Sequence, residues 1–123
     1  MPSRNFREYR IWNEAVEMAS FIYSVTDELP YFEQKGLCDQ LRRAAVSISS
    51  NIAEGCGMST DVGFARFLDI ALGSSYEVET QLLISKNVGY ISIELYNEIL
   101  TKIQDLERQI TALISKIRQS ESK

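Results

Sequence analysis

Apolar residues recur along the chain at the spacing of helices, and the pattern divides it into four amphipathic segments. In the first segment Ile11, Ala15 and Met18 follow one another at intervals of three or four residues, which places them on one helix face. Leu29-Pro30 ends this segment, because a proline disfavours helical backbone at the residue before it. The full pattern predicts helices over residues 6–28, 36–55, 60–88 and 92–119.

The second and fourth segments carry clear packing signals. Small residues crowd the second segment between Ala44 and Ala53, and small side chains let a neighbouring helix approach closely. In the fourth segment, apolar residues follow a 3-4-3-4 spacing over three heptads. The members of this stripe are Tyr96, Ile99, Ile103, Leu106, Ile110, Leu113 and Ile117, and Leu100 and Ile114 widen it. Because of its small residues, we expect the second helix to lie near the centre of the packing.

The third segment is apolar on more than one face. Phe64 and Leu68 belong to its main stripe, whereas Ile70 and Leu83 lie elsewhere around the helix. Gly73 stands in mid-helix, where glycine costs about 1 kcal/mol relative to alanine, and this predicts close contact by another backbone. An additional apolar face needs a further partner, and symmetric self-association is the usual way a small chain covers one. The sequence thus predicts a homo-oligomer.

Together the four segments predict an all-α fold, an antiparallel up-down four-helix bundle that forms a single domain over residues 1–123. No strand-like alternation competes with the helical pattern, and short connections between long helices favour antiparallel neighbours. No segment approaches about 18 continuous apolar residues, and the N-terminus lacks the apolar core of a signal peptide. We therefore expect a cytoplasmic protein with no membrane partner.

The composition removes several classes of chemistry. The 123 residues include no histidine, the commonest general base and metal ligand. Its absence excludes Ser-His-Asp and Cys-His nucleophilic sites and zinc sites that use histidine. The net charge of −4 counts against a domain built mainly to neutralise phosphates, because such domains are basic. We expect neither an enzyme nor a cofactor.

The cysteines and the glycine-rich stretch have simple structural interpretations. Cys38 and Cys56 would stand about 27 Å apart on one helix, too far for a disulfide, so we expect two reduced core residues. The stretch from Gly55 to Thr60 lacks the lysine and the preceding strand of a phosphate-binding loop, which favours a turn between helices.

Polar residues of the second and third segments form the candidate site. Arg42, Arg43 and Arg66 are the candidates for contact with a nucleic acid, and the alternative is local pairing of the first two with Asp39. A set predicted to form a structural or interface polar network comprises Arg43, Asn51, Glu54 and Glu77.

Three carboxylates in apolar or small surroundings allow two interpretations. Glu54, Glu77 and Glu79 could supply an acid-base pair or a metal site. The carboxylate-bundle signature needs a histidine, so pairing with arginines near a helix end or an interface is favoured. The sequence predicts no catalytic and no metal-binding residue.

The second segment also carries a recognisable motif. It reads Gln40-Leu41-Arg42-Arg43-Ala44-Ala45-Val46-Ser47-Ile48 and then Asn51-Ile52-Ala53-Glu54-Gly55. The third segment agrees, with Phe67-Leu68-Asp69-Ile70-Ala71 and Glu77-Val78-Glu79-Thr80-Gln81-Leu82. Over roughly residues 5 to 117 the chain resembles the bacterial four-helix bundle proteins known as 23S ribosomal RNA intervening-sequence proteins.

This resemblance implies an assembly and a class of partner. Members are similar to the accessory protein of diversity-generating retroelements, a pentameric barrel that binds nucleic acid and a reverse transcriptase through a basic surface. The resemblance therefore implies a homopentamer, with RNA or a nucleic-acid-processing protein as a further partner. Residues and resemblance together predict a non-enzymatic, homo-oligomeric binding or scaffold protein of unassigned process. The alternative is an RNA-binding protein that acts through a basic surface of the oligomer.

Overall fold

The computed structural model describes residues 4–121, which form four α-helices and no strand. Helix α1 spans Arg10–Asp27, α2 spans Leu37–Cys56, α3 spans Asp61–Asn87 and α4 spans Ile93–Glu121. Short 3-10 helices, Phe6–Glu8 and Tyr31–Glu33, precede α1 and α2. The predicted all-α, four-helix fold is confirmed. Within residues 4–121 no helix has the length and apolar character needed to cross a membrane.

The helices pack in chain order around one core. Helix α2 lies against α1 and α3, α3 lies against α4, and α4 closes against α1. Ser74 donates a hydrogen bond to Ser47, and Gln81 donates one to Gln40. Residue numbers thus rise along α3 as they fall along α2, and these two helices are antiparallel.

The first helix begins later than its spacing predicts. Asn5 accepts a hydrogen bond from the backbone N–H of Arg7, and this bond caps the first 3-10 helix instead of α1. Tyr9 then has extended backbone, with φ −82° and ψ 124°, so α1 begins at Arg10 and not at residue 6. Every other predicted helix end lies within two residues of the observed one.

Apolar stripes from all four helices supply the core. Fully buried side chains include Ile22 of α1, Ile48 of α2, Leu68 of α3, and Ile103 and Ile110 of α4. Leu68, Ile103 and Ile110 belong to the apolar stripes that the sequence spacing predicts.

Both cysteines lie on α2, one near each end, and both are buried free thiols. Burial raises the pKa of Cys38 and of Cys56, so both groups stay protonated near neutral pH. The prediction of two separate, reduced core cysteines is confirmed.

The turn between α2 and α3 depends on a glycine and a cap. A Cβ on Gly55 would lie 2.9 Å from Cβ of Phe67 and 3.0 Å from Cδ1 of Phe64, so only glycine fits without a shift. Thr60 caps α3 by accepting a hydrogen bond from the N–H of Gly63 at 3.0 Å. The stretch is a helix–helix turn, as the sequence indicates.

Candidate functional site

Most of the predicted polar residues lie on the outward side of α2 and α3, which we call the outer face. On α2 its residues are spaced by four, four and three positions, and on α3 they follow a similar helical spacing. The α2 members are Arg43, Ser47, Asn51 and Glu54, and the α3 members are Arg66, Ile70, Gly73, Glu77 and Ile84. All of them are at least partly exposed.

The antiparallel register of α2 and α3 places opposite charges across the outer face. Counted from the 2.9 Å hydrogen bond between the hydroxyl groups of Ser47 and Ser74, Arg43 stands opposite Glu77. Near the C-terminal end of α2, Glu54 stands opposite Arg66 of α3. A groove of about 320 Å³ runs between the helices, lined by Gln40, Arg43, Ser47, Ser74, Glu77 and Gln81. The Oε1 atom of Gln81 is buried without a hydrogen-bond partner.

The predicted polar network is not joined within one chain. Arg43 pairs with Asp39, one turn earlier on α2, through a 2.9 Å contact between Nε and Oδ2. Asn51 Nδ2 donates to the carbonyl and hydroxyl oxygens of Ser47 at 2.8 and 2.9 Å. Each of these bonds lies within α2, so the network residues share a face but not a bond.

Three charged side chains of the outer face have no partner in the described chain. Glu54, Arg66 and Glu77 are exposed and make no hydrogen bond or ion pair with residues 4–121. Because the exposed charges have both signs, the outer face can match a copy of itself as well as a charged ligand.

Arg42 faces away from the other two candidate arginines. Its Nε donates to Thr26 Oγ1 at 2.8 Å, and its Nη2 donates to Gln34 Oε1 at 3.0 Å. These bonds hold the guanidinium against the end of α1, whereas Arg43 and Arg66 project from the outer face. The structure therefore brings two of the three predicted nucleic-acid contacts to one surface.

Large apolar side chains accompany the charges on the outer face. Ile70 is 47% exposed and Ile84 is 46% exposed, and Val46 of α2 is 40% exposed. Between the isoleucines, a Cβ on Gly73 would meet nothing within 4 Å. The close backbone contact that Gly73 predicts is therefore not made by the same chain, and space for it is open on the outside.

An acidic residue that the sequence analysis missed lies on the α3–α4 seam. Glu107 of α4 is 8% exposed, and its Oε2 has no hydrogen-bond partner. Burial and a hydrogen bond with Glu79 of α3 raise the pKa of Glu107 to about 8. A signal was present in the sequence, since Glu107 stands seven residues from both Leu100 and Ile114 of the apolar stripe.

The candidate carboxylates are dispersed. Glu54 and Glu77 stand at different heights on the outer face, and Glu79 faces α4. Among residues 4–121, no three Cys, Asp or Glu side chains are grouped to hold a metal ion.

These features define a class: an all-α four-helix protein with an outward polar and apolar face on its central helices. Residues 7–112 match the family described as 23S rRNA-intervening sequence protein. The match covers most of the chain, which therefore belongs to this family.

A solved structure supports the same fold. The chain is similar to a protein of unknown function from the S23 ribosomal protein family of Bacteroides thetaiotaomicron, with a TM-score of 0.78 and 26% sequence identity. The similarity covers 85% of this chain and 97% of that protein. No curated protein matches the chain.

Proposed function

We propose that this protein is a non-enzymatic scaffold that assembles with copies of itself through the outer face. The observation that carries the proposal is the exposed apolar surface of α3, where Ile70 and Ile84 flank the open space beside Gly73. A patch of this kind on a small soluble chain is typical of an interface. A second helix seated at Gly73 would supply the backbone contact that offsets the glycine's cost to the helix.

The outer face has the dimensions of an interface. From Val62, which is also exposed, to Ile84 the stripe extends about 33 Å at the rise of an α-helix. A standard interface buries about 800 Å² on each partner, which a stripe of this length and its α2 neighbours can supply.

The charges of the outer face provide specificity. Arg43 and Arg66 of one copy can meet Glu54 and Glu77 of the next, because both signs are exposed on one surface. Such pairs add little affinity at an exposed rim, but they fix the register of two helices. The predicted interface network of Arg43, Asn51, Glu54 and Glu77 thus acts between copies.

We take the number of copies from the resemblance of the family to the pentameric accessory protein of diversity-generating retroelements. A heterologous contact repeated by a rotation that closes gives a ring. We propose a ring of five cytoplasmic copies, each joined to the next through the outer face.

The mass of the protein in solution tests the assembly. Light scattering and native mass spectrometry at micromolar concentration should give a multiple of the 14.0 kDa chain, with five copies expected. Ile84→Glu should reduce the mass to that of the monomer. Val16→Glu, at an exposed apolar position of α1, is the matched control and should leave the assembly intact. A wild-type monomer at these concentrations would refute the proposal.

A charge exchange tests the register. Arg43→Glu and Glu77→Arg should each weaken assembly, because each places like charges together between copies. The double variant that exchanges both charges should recover assembly, because every contact of the ring then joins opposite charges again. Unchanged assembly of both single variants would remove these residues from the interface.

RNA binding is the second candidate function. Arg43 and Arg66 favour it, because they are exposed together on one face of the chain. The unpaired Glu54 and Glu77 beside them, and the net charge of −4, weaken a phosphate site. Titration of labelled RNA at low salt tests this function. Binding should weaken steeply with added salt, and no binding at high protein concentration would contradict it.

A further inference from the structure

Two acidic side chains from different helices meet on the α3–α4 seam. Glu79 reaches from α3 to Glu107 of α4, and the hydroxyl group of Ser75 lies beside the same carboxyl group. Glu107 is more than nine-tenths buried, and its Oε2 atom accepts no hydrogen bond. A buried polar atom of this kind is rare in folded proteins and calls for a physical explanation.

Glu107 borders an open groove. The groove has a volume of about 550 Å³ and is lined by Tyr76, Gln104, Glu107, Arg108, Thr111 and Ala112. Protons can therefore exchange between solvent and the seam without unfolding of the bundle.

Within residues 4–121 no cation forms an ion pair with Glu79 or Glu107. Arg108 acts on Glu107, but its Nη2 atom lies 3.6 Å from Asp105 Oδ1 and its side chain is 70% exposed. From α3 the facing groups are Glu79 and Ser75. Helix α1 packs on another side of α4, where Glu14 accepts a hydrogen bond from Gln109, and no α1 group acts on Glu107.

A shared proton satisfies this geometry. Two carboxylates can only accept hydrogen bonds, so they repel each other when both are ionised. If Glu107 carries a proton, one carboxyl group donates to the other, and the orphaned oxygen no longer lacks a partner. The same proton removes one negative charge from an apolar surrounding, where a charge is costly.

We propose that Glu79 and Glu107 form a proton-binding site, which makes the packing of α3 against α4 sensitive to pH near neutrality. The site is independent of self-assembly, because it lies within one chain. Raising the pH removes the shared proton, leaves two negative charges on facing helices and weakens the seam.

The sign of the pH effect follows from linkage. Between the ordinary pKa of a glutamate, near 4.5, and the raised pKa of Glu107, about 8, the folded chain holds one more proton than the unfolded chain. Stability therefore falls as the pH rises through this window, and it levels off above the raised pKa. The unfolding equilibrium constant should increase by up to about tenfold per pH unit within the window.

Two measurements test the proposal at one fixed protein concentration. Urea unfolding of the wild type at pH 5 to 9 should show this loss of stability, and Glu107→Gln should remove most of it. Glu79→Gln should shift the dependence to lower pH, because Glu107 loses its acidic neighbour. Glu98→Gln, at an exposed position of α4, is the matched control and should behave as the wild type does.

Carbon-13 NMR of the glutamate carboxyl groups follows the titration of the pair in the wild type, and a variant is needed only to assign the resonance. The Glu107 resonance, assigned by its loss in Glu107→Gln, should titrate with a midpoint well above 6. A midpoint near 4.5, or an unchanged pH slope in Glu107→Gln, would overturn the proposal. Because neither measurement depends on the oligomeric mass, failure here is distinguishable from failure of the proposed assembly.

Discussion

The buried polar groups on the two seams of α3 differ in charge. On the α2 side, Ser47 accepts hydrogen bonds from Asn51 and Ser74, and all three side chains are neutral. On the α4 side, Glu107 is buried beside Glu79, with one oxygen that accepts no hydrogen bond. Satisfied polar groups fix a register at little cost in stability, whereas a buried acid ties stability to the proton concentration. One helix thus combines a pH-insensitive seam with a pH-sensitive one.

The largest expected effect tests how closely the α2–α3 seam is packed. Gly55→Ala places a Cβ 2.9 Å from Phe67 Cβ and 3.3 Å from the Phe64 carbonyl oxygen, so backbone must move. We expect a loss of about 1–3 kcal/mol in the free energy of unfolding. Urea titration followed by circular dichroism measures it. A loss below about 0.5 kcal/mol would show that this seam yields easily.

The next effect contrasts the polar groups of the two seams. Glu107→Leu replaces the buried acid with an apolar side chain of similar size, and should raise the stability by about 1–3 kcal/mol at pH 8.5. The gain should be smaller at pH 5, because Glu107 is then protonated and neutral. Thermal unfolding at both pH values measures the difference. Equal gains at the two pH values would contradict the assignment of the proton to this seam.

A glycine on the outer face should respond with the opposite sign to Gly55. A Cβ on Gly73 meets nothing, so Gly73→Ala should stabilise the isolated chain by about 0.5–1 kcal/mol through helix propensity. In the proposed assembly the same methyl group obstructs the partner helix and weakens self-association. Unfolding at low concentration and the oligomeric mass measure the two effects separately. Destabilisation of the monomer would mean that Gly73 is packed within the chain.

The smallest effect lies in the neutral α2–α3 seam. Ser74→Ala removes the hydrogen bond to Ser47, whose hydroxyl group keeps its bond from Asn51. We expect a loss of about 0.5 kcal/mol that does not vary with pH. Ser50→Ala, at an exposed position of α2, is the control. A loss at Ser74 that varied with pH would show that the α2–α3 seam is coupled to the titration on the α3–α4 seam.

The sequence was sufficient for the helices and insufficient for the partners of side chains. Four apolar periodicities predicted four helices, because each buried stripe must face the same core. The late start of α1 was not predictable from spacing, since it depends on the extended backbone at Tyr9. Periodicity reports which side of a helix is apolar, but it says little of how the chain enters the helix.

The candidate site shows the same limit at the level of single residues. Arg42 and Arg43 are adjacent and both stand within reach of Asp39, yet Arg43 takes the local pair and Arg42 crosses to Thr26. That choice depends on how α1 packs on α2. Likewise, Glu107 was visible as a charge in an apolar stripe, but its neighbour Glu79 is fixed by the packing of α3 on α4.

The buried cysteines have a practical consequence for labelling. A thiol reacts as its thiolate, and burial keeps Cys38 and Cys56 inaccessible with a raised pKa. A maleimide dye or nitroxide would therefore attach to a cysteine introduced at an exposed site, and the two native cysteines need not be replaced. With such a label on Thr80→Cys, fluorescence energy transfer or electron–electron distance measurements between copies give the number of neighbouring copies.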